Sequence, residues 1–441
     1  MLRRLKKEYK ASVYTLGCRV NLYESEAIAE KLSEAGFSVV DFSETCDVYI
    51  INTCTVTAES DRKSRQMIRR ALKSNPEAAV LVTGCHSQIF SEETAAIEGV
   101  SYVGGTLDKM ALVEKAVELA EEGRPLKPEI NIGDPMTAEF EKMAATVQDR
   151  TRAFLKIEDG CENRCSYCII PKARGRVRSK PIDDVLDEVK HIVANGYREI
   201  VLTGIETAAY GRDMGYGLID LLERLEHVEG LSRIRLGSLE PSYLKRDVIE
   251  RLSRLKKPMP YYHLSLQSGT DRTLNSMKRR YNTKMVRATV DYMREQIPNV
   301  TFGSDFIVGF PGETDADHGD TVSFVDSLEI LNSHIFSYSV RPGTPAAEMK
   351  EQVPKDIKDK RHRELQAAAD RMQKRCIEGF IDAKTVFKVL FETYKDGYLY
   401  GYTENYIYVK VKGEPCICGS EGEAVLIKYN EKDGMTEGEL I

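Results

Sequence analysis

Three apolar runs in the first hundred residues, SVYTLGC, VYIINTC and AVLVTGC, each end on a cysteine, and helical patterns stand between them at about Asn21–Ala35 and Ala58–Lys73. A further run, SYVGG, precedes a helical pattern near Asp108–Glu122. Strands that alternate with helices predict a parallel sheet in an α/β domain. In such a sheet the carboxyl ends of the strands share one rim, which is where open α/β sheets bind ligands. Cys18, Cys54 and Cys85 would then converge in space although they are far apart in sequence. The alternative is three independent cysteines, each buried in the core.

A second alternation starts at Ala153, with strands expected at AFLKI, EIVLTG, RIRLG, YHLSL, TFGSDFIVG and HIFSYS. Repeats of this kind predict a partial (β/α)6 barrel. A charged amphipathic helix follows from Lys355 to about Gly379. The final stretch then alternates apolar and polar residues in TVFKVLFET, GYLYGYT, NYIYVKV and EAVLIKY, the pattern of a small antiparallel β-barrel. The fold class expected is therefore a multidomain α/β protein. A flavodoxin-like parallel α/β domain would occupy 1–122, a Gly- and Pro-containing linker 123–150, the partial barrel 151–378 and an OB-like β-barrel 379–441.

Directly after the first strand of the second series comes CENRCSYC, which packs Cys161, Cys165 and Cys168 into eight residues. Loops at strand carboxyl ends are where such barrels keep their chemistry. Three thiolates can grip three irons of a 4Fe–4S cube and leave the fourth iron open. Zinc is the competing reading and would need a fourth ligand. The nearest candidate in sequence is His191, which falls inside a helical pattern.

Composition narrows the setting. There is no apolar run of roughly 18 residues, so no membrane span is expected. The basic start MLRRLKKEYK lacks the apolar stretch of a signal peptide. The expected location is the cytoplasm, where thiols stay reduced and cysteines bind metals more often than they form disulfides. The net charge of −6 does not suggest a polyanionic partner, yet from Arg150 to Lys180 nine Lys/Arg face three Asp/Glu. In PKARGRVRSK the cations recur every second residue. An extended chain would align Arg174, Arg176 and Arg178 on one side, as a phosphate-facing strip or a solvated edge. The last domain has nine Phe/Tyr between Lys384 and Tyr429, suited to base stacking or to a barrel core, but seven Lys against eleven Asp/Glu from Ile381 onward. Of the remaining cysteines, Cys416 and Cys418 are expected in an exposed turn, Cys376 in helix packing, and Cys46 at the far end of the strand from Cys54.

CENRCSYC resembles the CxxxCxΦC signature of the radical SAM superfamily. GCRVN at 17–21, NTCTVT at 52–57 and GC at 84–85 are similar to the amino-terminal domain of the methylthiotransferases, a family that joins this domain to a radical SAM barrel and a terminal barrel called TRAM. The resemblance spans essentially the whole chain. It implies two 4Fe–4S clusters, one on Cys161, Cys165 and Cys168 and one on Cys18, Cys54 and Cys85, together with S-adenosylmethionine. The first cluster would cleave S-adenosylmethionine to a 5′-deoxyadenosyl radical, and the second would hold the sulfur that is methylated and inserted. By the same resemblance, Tyr167, Glu206, Ser238, Glu240, Gln267, Asp305, Ile307 and Gly309 would cradle S-adenosylmethionine or substrate. Glu206 lies in a TGIET segment that departs from the family's usual residues.

GCRVNLYES is most similar to the branch that converts N6-threonylcarbamoyladenosine in tRNA to its 2-methylthio derivative. The isopentenyladenosine branch reads more like YGCQMN, and the branch acting on a ribosomal-protein aspartate more like LGCPKN. Implied partners are the tRNA anticodon stem-loop, an electron donor such as a flavodoxin or ferredoxin, and a sulfur donor of unstated identity. A non-enzymatic alternative is a zinc-bearing RNA-binding adaptor.

Overall fold

The structure, a computed structural model, describes residues 4–441. The first domain is a six-stranded, all-parallel sheet of β1 (Tyr9–Thr15), β2 (Phe37–Val39), β3 (Val48–Thr53), β4 (Ala79–Gly84), β5 (Val100–Gly104) and β6 (Glu129–Asn131), in the order β2-β1-β3-β4-β5-β6. β3 and β4 are buried along their whole length because helices cover both faces. Val48 and Ile50 join one core with Ile28 and Val113, and Tyr49 and Ile51 join the other with Ile68 and Val82. Burial on both faces explains the near-continuous apolar runs. The strand order reverses between β1 and β3, the switch point at which such sheets bind ligands.

Residues 123–150, read from sequence as linker, do not hang free. β6 extends the sheet beside β5, and the following segment is pinned to both domains: the Tyr23 hydroxyl donates to Met143 O at 2.8 Å, and the Gln148 amide donates to Phe154 O at 2.8 Å. A three-residue strand is too short to show alternation, which is why composition alone suggested a loop.

The second domain is built from two parallel three-stranded sheets, β11-β10-β7 and β12-β13-β14, with β7 at Arg152–Lys156, β10 at Glu199–Thr203, β11 at Arg233–Leu236, β12 at Tyr261–Gln267, β13 at Thr301–Val308 and β14 at Asn332–Ser337. A two-residue ladder of β8 (Glu158–Asp159) and β9 (Arg178–Ser179) lies just beyond β7. Single bridges at Ile234–Pro258 and Leu239–Leu264 join the sheets into one curved wall that stays open between β7 and β14. Period-two alternation divides its residues. Leu155, Ile200, Leu202, Ile234, Leu264 and Phe306 pack outward on the helices in one core. Arg152, Glu199, Arg235, His263 and Asp305 alternate with these and face the lumen, which is therefore a polar chamber.

The terminal domain is a closed five-stranded barrel, β15-β16-β17-β19-β18 (Val386–Lys395, Tyr398–Thr403, Tyr408–Lys412, Glu421–Asn430, Met435–Leu440, with β17 and β19 the third and fifth of these ranges). It is antiparallel except where β17 meets β19. Its aromatic residues divide by face. Phe387 and Phe391 fill the barrel core. Tyr402 and Tyr406 stack outside at 4.6 Å, and Tyr406 stacks in turn on Tyr261 of β12 at 4.5 Å. Arg152 and Arg235 lie over Tyr402 and Tyr406 at 4.6 and 4.8 Å. Much of the tyrosine face that sequence offered for base stacking thus seats this domain on the amino-terminal ends of the barrel strands. Among the described residues, no helix is long and apolar enough to cross a membrane.

Arg235 carries this seat: it donates to Glu199 at 2.7 Å and to the carbonyls of Thr403 and Glu404 at 2.9 and 3.0 Å, with 3% of its surface exposed. Arg235→Met takes from the buried Glu199 its hydrogen-bonded partner, leaving only Arg152 and Arg233 at 3.8 and 3.9 Å, and is expected to destabilise the protein by about 3 kcal/mol. Chemical denaturation measures the loss, and limited proteolysis should show the segment after Asp382 becoming cleavable first.

Candidate active site

Two of the three rim cysteines, Cys18 and Cys85, follow a glycine in a left-handed conformation. Gly17 has φ +100° and Gly84 has φ +107°. A Cβ on Gly17 would lie 2.8 Å from Cys54 Sγ, and one on Gly84 would lie 2.4 Å from Thr53 O. Glycine at both positions therefore lets the chain turn tightly enough to set Cys18 at the start of α1 (Arg19–Ala35) and Cys85 at the start of α3 (Cys85–Ile89) beside Cys54. Asn21 ties this rim together: its side-chain amide donates to Leu16 O at 2.7 Å and to Thr53 O at 3.0 Å. The strands β1, β3 and β4 are neighbours in the sheet, so the three sulfurs share one end of it. Cys54 feels the charges of Cys85 and Cys18, and Cys85 feels that of Cys18. Cys46 is buried at the other end of β3, bonded through its carbonyl to Asn75.

The rim faces the open side of the barrel and is clamped there from two directions. On the β7 side, buried Arg174 donates to Glu24 at 2.7 Å, to Asp159 at 3.0 Å, to Asn21 at 2.6 Å and to Cys85 Sγ at 3.3 Å. Lys156 bridges Glu24 and Asp159 at 2.7 Å each, Lys109 stands 3.8 Å from Glu24, and Arg178 stands 3.3 Å from Asp159. On the β14 side, Arg341 donates to Asp61 at 2.7 Å and to Thr55 at 2.6 Å, and Asp61 also holds His86 at 2.9 Å. Thr55 and His86 are the residues directly after Cys54 and Cys85. The second cysteine loop packs against the first: Cys168 feels the charge of Cys85, and the short helix Ile170–Arg174 lies against α3. The two trios therefore face one another across the barrel mouth.

The donor sets suit iron–sulfur cubes. A single zinc with sulfur ligands at about 2.3 Å needs its sulfurs within roughly 4 Å of each other. Among the described residues, the one group of His, Cys, Asp or Glu ligand atoms gathered within 4.8 Å is His263–Asp305–His334, so neither cysteine trio closes on one ion. His191 lies on the exposed face of its helix and offers no fourth ligand; its ring bonds Asp187 O at 2.8 Å. Burial pushes the Cys54 thiol up to about 11 and the Cys168 thiol up to about 12. Such sulfurs ionise only where positive charge compensates. That charge is in place: Arg174 on Cys85, and Arg279 donating to Cys165 Sγ at 3.1 Å. In the Arg174 network the cations Lys109, Lys156, Arg174 and Arg178 stand around the carboxyls of Glu24, Asp159 and Glu141, one cation more than the carboxyls.

The other expected residues divide. Tyr167 packs with Met277, Phe310 and Tyr338 in an apolar lid over the local trio. Glu206 is buried, accepts from the Glu240 N–H at 3.3 Å and meets the Asn163 amide at 3.4 Å; burial first and Glu240 second raise its carboxyl to about 7. Glu240 also stands 3.5 Å from Arg279. Gln267 ends β12 in a left-handed turn, φ +65°, and Ser238 is half-buried after β11. Ile307 borders the apolar lid.

Three corrections follow from the structure. The PKARGRVRSK segment is not extended. A helix ends at Arg174 and Gly175 turns the chain at φ +73°, so the five cations part company: Arg174 and Arg178 are buried ion-pair and carbonyl partners, Lys180 pairs with Glu188, and Lys172 and Arg176 stay exposed. Arg174 and Arg178 are thus unavailable to RNA. Asp305, expected to offer a backbone contact to adenine, lies in the middle of β13 with its backbone in the ladder to β14, and its carboxylate is held by His263 and His334 at 3.1 Å each. The Gly309 N–H already donates to Glu313 at 2.5 Å and is not free for adenine. Sequence reading missed Glu24 on α1, Asp159 just beyond β7, Arg279 in a loop, and Lys156, His263 and His334 on strands; only the last three carried a signal, a polar residue where a core strand calls for an apolar one.

Residues 155–325 match the model of the radical SAM superfamily, and residues 10–105 match a family described as the uncharacterized protein family UPF0004. The threonylcarbamoyladenosine tRNA methylthiotransferase MtaB of Bacillus subtilis is 40% identical over 95% of this chain and 94% of its own length. The chain belongs to the radical SAM methylthiotransferase family. The MtaB enzyme of Thermotoga maritima is 37% identical over 96% of the chain, and the tRNA-2-methylthio-N(6)-dimethylallyladenosine synthase of a Hydrogenobaculum strain is 32% identical over 98%. The radical S-adenosylmethionine methyltransferase TsrM of Kitasatospora setae shares the fold, with a TM-score of 0.56 and 16% identity over 77% of each chain. The cofactors of this methylthiotransferase are two 4Fe–4S clusters and S-adenosylmethionine.

Anaerobically reconstituted protein is expected to carry about eight irons, and Cys85→Ala or Cys161→Ala about four each. Iron and sulfide analysis checks this; one or two zinc ions in a colourless protein would exclude it.

Proposed function

We propose that this methylthiotransferase acts on N6-threonylcarbamoyladenosine beside the anticodon of tRNA and places a methylthio group on C2. Cys161, Cys165 and Cys168 hold the cluster that binds S-adenosylmethionine, and Cys18, Cys54 and Cys85 hold the cluster that carries the inserted sulfur. The observation behind this reading is the approach of the two trios, with Cys85 in electrostatic reach of Cys168. A carbon radical is too reactive to survive a long search, so sulfur donor and radical source must share one chamber.

When bound, the cofactors supply the radical and the methylated sulfur; the chain does the rest. Arg174 and Arg279 hold negative charge on Cys85 and Cys165. The Tyr167–Met277–Phe310–Tyr338 cluster gives the local trio an apolar flank. Glu206 and Glu240 present buried carboxylates at the strand ends, placed to take the amine of a bound amino acid. Exposed Arg69, Arg70 and Lys73, on the helix α2 (Ala58–Ser74) that begins shortly after Cys54, provide the basic surface for the tRNA backbone that Arg174 and Arg178 do not. An electron donor such as a flavodoxin or ferredoxin completes the reaction, and ten free cysteines suit the reducing cytoplasm.

Nucleoside mass spectrometry of tRNA from a deletion strain should show 2-methylthio-N6-threonylcarbamoyladenosine lost and its unthiolated precursor retained. Undiminished product would overturn the reading. Loss of the isopentenyl derivative alone would reassign the branch. Cys54→Ala should still cleave S-adenosylmethionine yet form no thiolated nucleoside.

A further inference from the structure

The residue after Cys18 turns away from the rim. Arg19 extends across the barrel opening over the Phe154 ring, with Cζ 5.8 Å from its centroid; it is exposed and forms no ion pair among the described residues. It lines a lumen cavity of about 320 Å³, together with Tyr261, His263, His334, Tyr402 and Tyr406, between the barrel wall and the seat of the terminal domain. Arg19, next to a proposed cluster ligand, is its one residue from the first domain; the barrel contributes the amino-terminal halves of β12 and β14.

Its charged and titratable groups are the Arg19 guanidinium and the imidazoles of His263 and His334, with the Asp305 carboxylate held between the two rings. Both oxygens of Asp305 are taken, Oδ2 by His263 Nε2 and Oδ1 by His334 Nδ1, at 3.1 Å each. Burial works against its charge, but the two imidazoles outweigh burial and hold the carboxyl well below its usual range. The negative charge of Asp305, on the lumen side of β13, is thus shared between the two rings. His334, which is 62% exposed, keeps its Nε2 for the cavity, and the two rings stack at 5.5 Å, which fixes their orientation. An unpaired guanidinium and a directed imidazole remain, above tyrosine rings.

Under the functional reading given above, on which this inference rests, the substrate is an adenine whose N6 arm ends in a carboxylate. N6 is only a few bonds from C2, so a base with C2 at the Cys18 rim sends its arm into the nearest part of the lumen. A carboxylate leaving water needs a cation there. We propose that Arg19, assisted by His334, receives the carboxylate of the threonylcarbamoyl arm and so selects this base over an adenosine with an uncharged N6 substituent.

The test uses reconstituted holoenzyme, a chemical reductant and three anticodon stem-loops, bearing N6-threonylcarbamoyladenosine, its carboxamide analogue or isopentenyladenosine. Losing a charge-assisted contact should cost wild-type enzyme on the order of ten- to a hundredfold in kcat/KM on going from carboxylate to carboxamide. Arg19→Gln should lose a similar factor on the carboxylate and treat the two RNAs alike. Arg19→Lys should recover part of the preference. Stem-loop affinity without S-adenosylmethionine, read by fluorescence anisotropy, should follow the same pattern. His334→Gln, remote from the rim cysteines, gives the same comparison if Arg19→Gln loads less iron. A carboxylate-to-carboxamide ratio unchanged in both variants overturns the inference while leaving the functional reading intact. Wild-type enzyme that ignores the carboxylate RNA and thiolates the isopentenyl one overturns both.

Discussion

Arg174 is the residue on which the arrangement depends. It is fully buried and holds Glu24 and Asn21 of the first domain, Asp159 of the barrel and the sulfur of Cys85. A guanidinium presents its donors in a fixed planar fork, so one side chain can set the angle between two domains. Ions removed from water cost several kcal/mol each unless their partners are well placed. Glu24 illustrates the compensation: burial raises its carboxyl, yet Arg174, Lys156 and Lys109 outweigh burial and hold it well below the usual range. The excess of cations would be unfavourable beside a neutral site. Were the three rim thiols ionised around the proposed cluster, the same cations would balance them, and the interdomain strut would also support the rim electrostatically.

The second strut uses the same logic at the opposite edge. Arg341, on the loop after β14, reaches Asp61 and Thr55. The first domain therefore closes the gap that a six-stranded barrel leaves between β7 and β14. An open barrel could not keep water or oxygen from a radical, and a free α/β sheet could not direct its rim at a substrate. Joining them makes one chamber, with the barrel wall behind and the terminal domain as its floor. The polar lumen fits this reading: residues facing inward are not core, and their charges pair both with neighbouring strands and with the flanking domains, Arg152 with Glu392 and Lys156 with Glu24.

The terminal domain shows how a motif can be legible and its use not. Alternating tyrosines in YLYGY and NYIYV do lie on one face, as period-two geometry demands. That face, however, meets Arg152, Arg235 and Tyr261, so it anchors the domain and leaves fewer rings for RNA. The basic run at 172–180 failed for a local reason: Pro171 starts a short helix and Gly175 ends it, and a single helical turn destroys a period-two pattern.

By itself the sequence determined the strand–helix order, the cysteines at strand ends and the glycines that let them turn, because hydrophobic period and turn stereochemistry are local properties. It also carried the family, since CENRCSYC and GCRVN are contiguous. Only the tertiary structure decided which of Arg174, Arg176 and Arg178 would be buried, that Cys85 would approach Cys168, and that Arg19, His263, Asp305 and His334 would share a cavity. Periodicity states which side of an element turns inward; what stands opposite is set by long-range packing and by charges that find their partners only when distant strands are brought together.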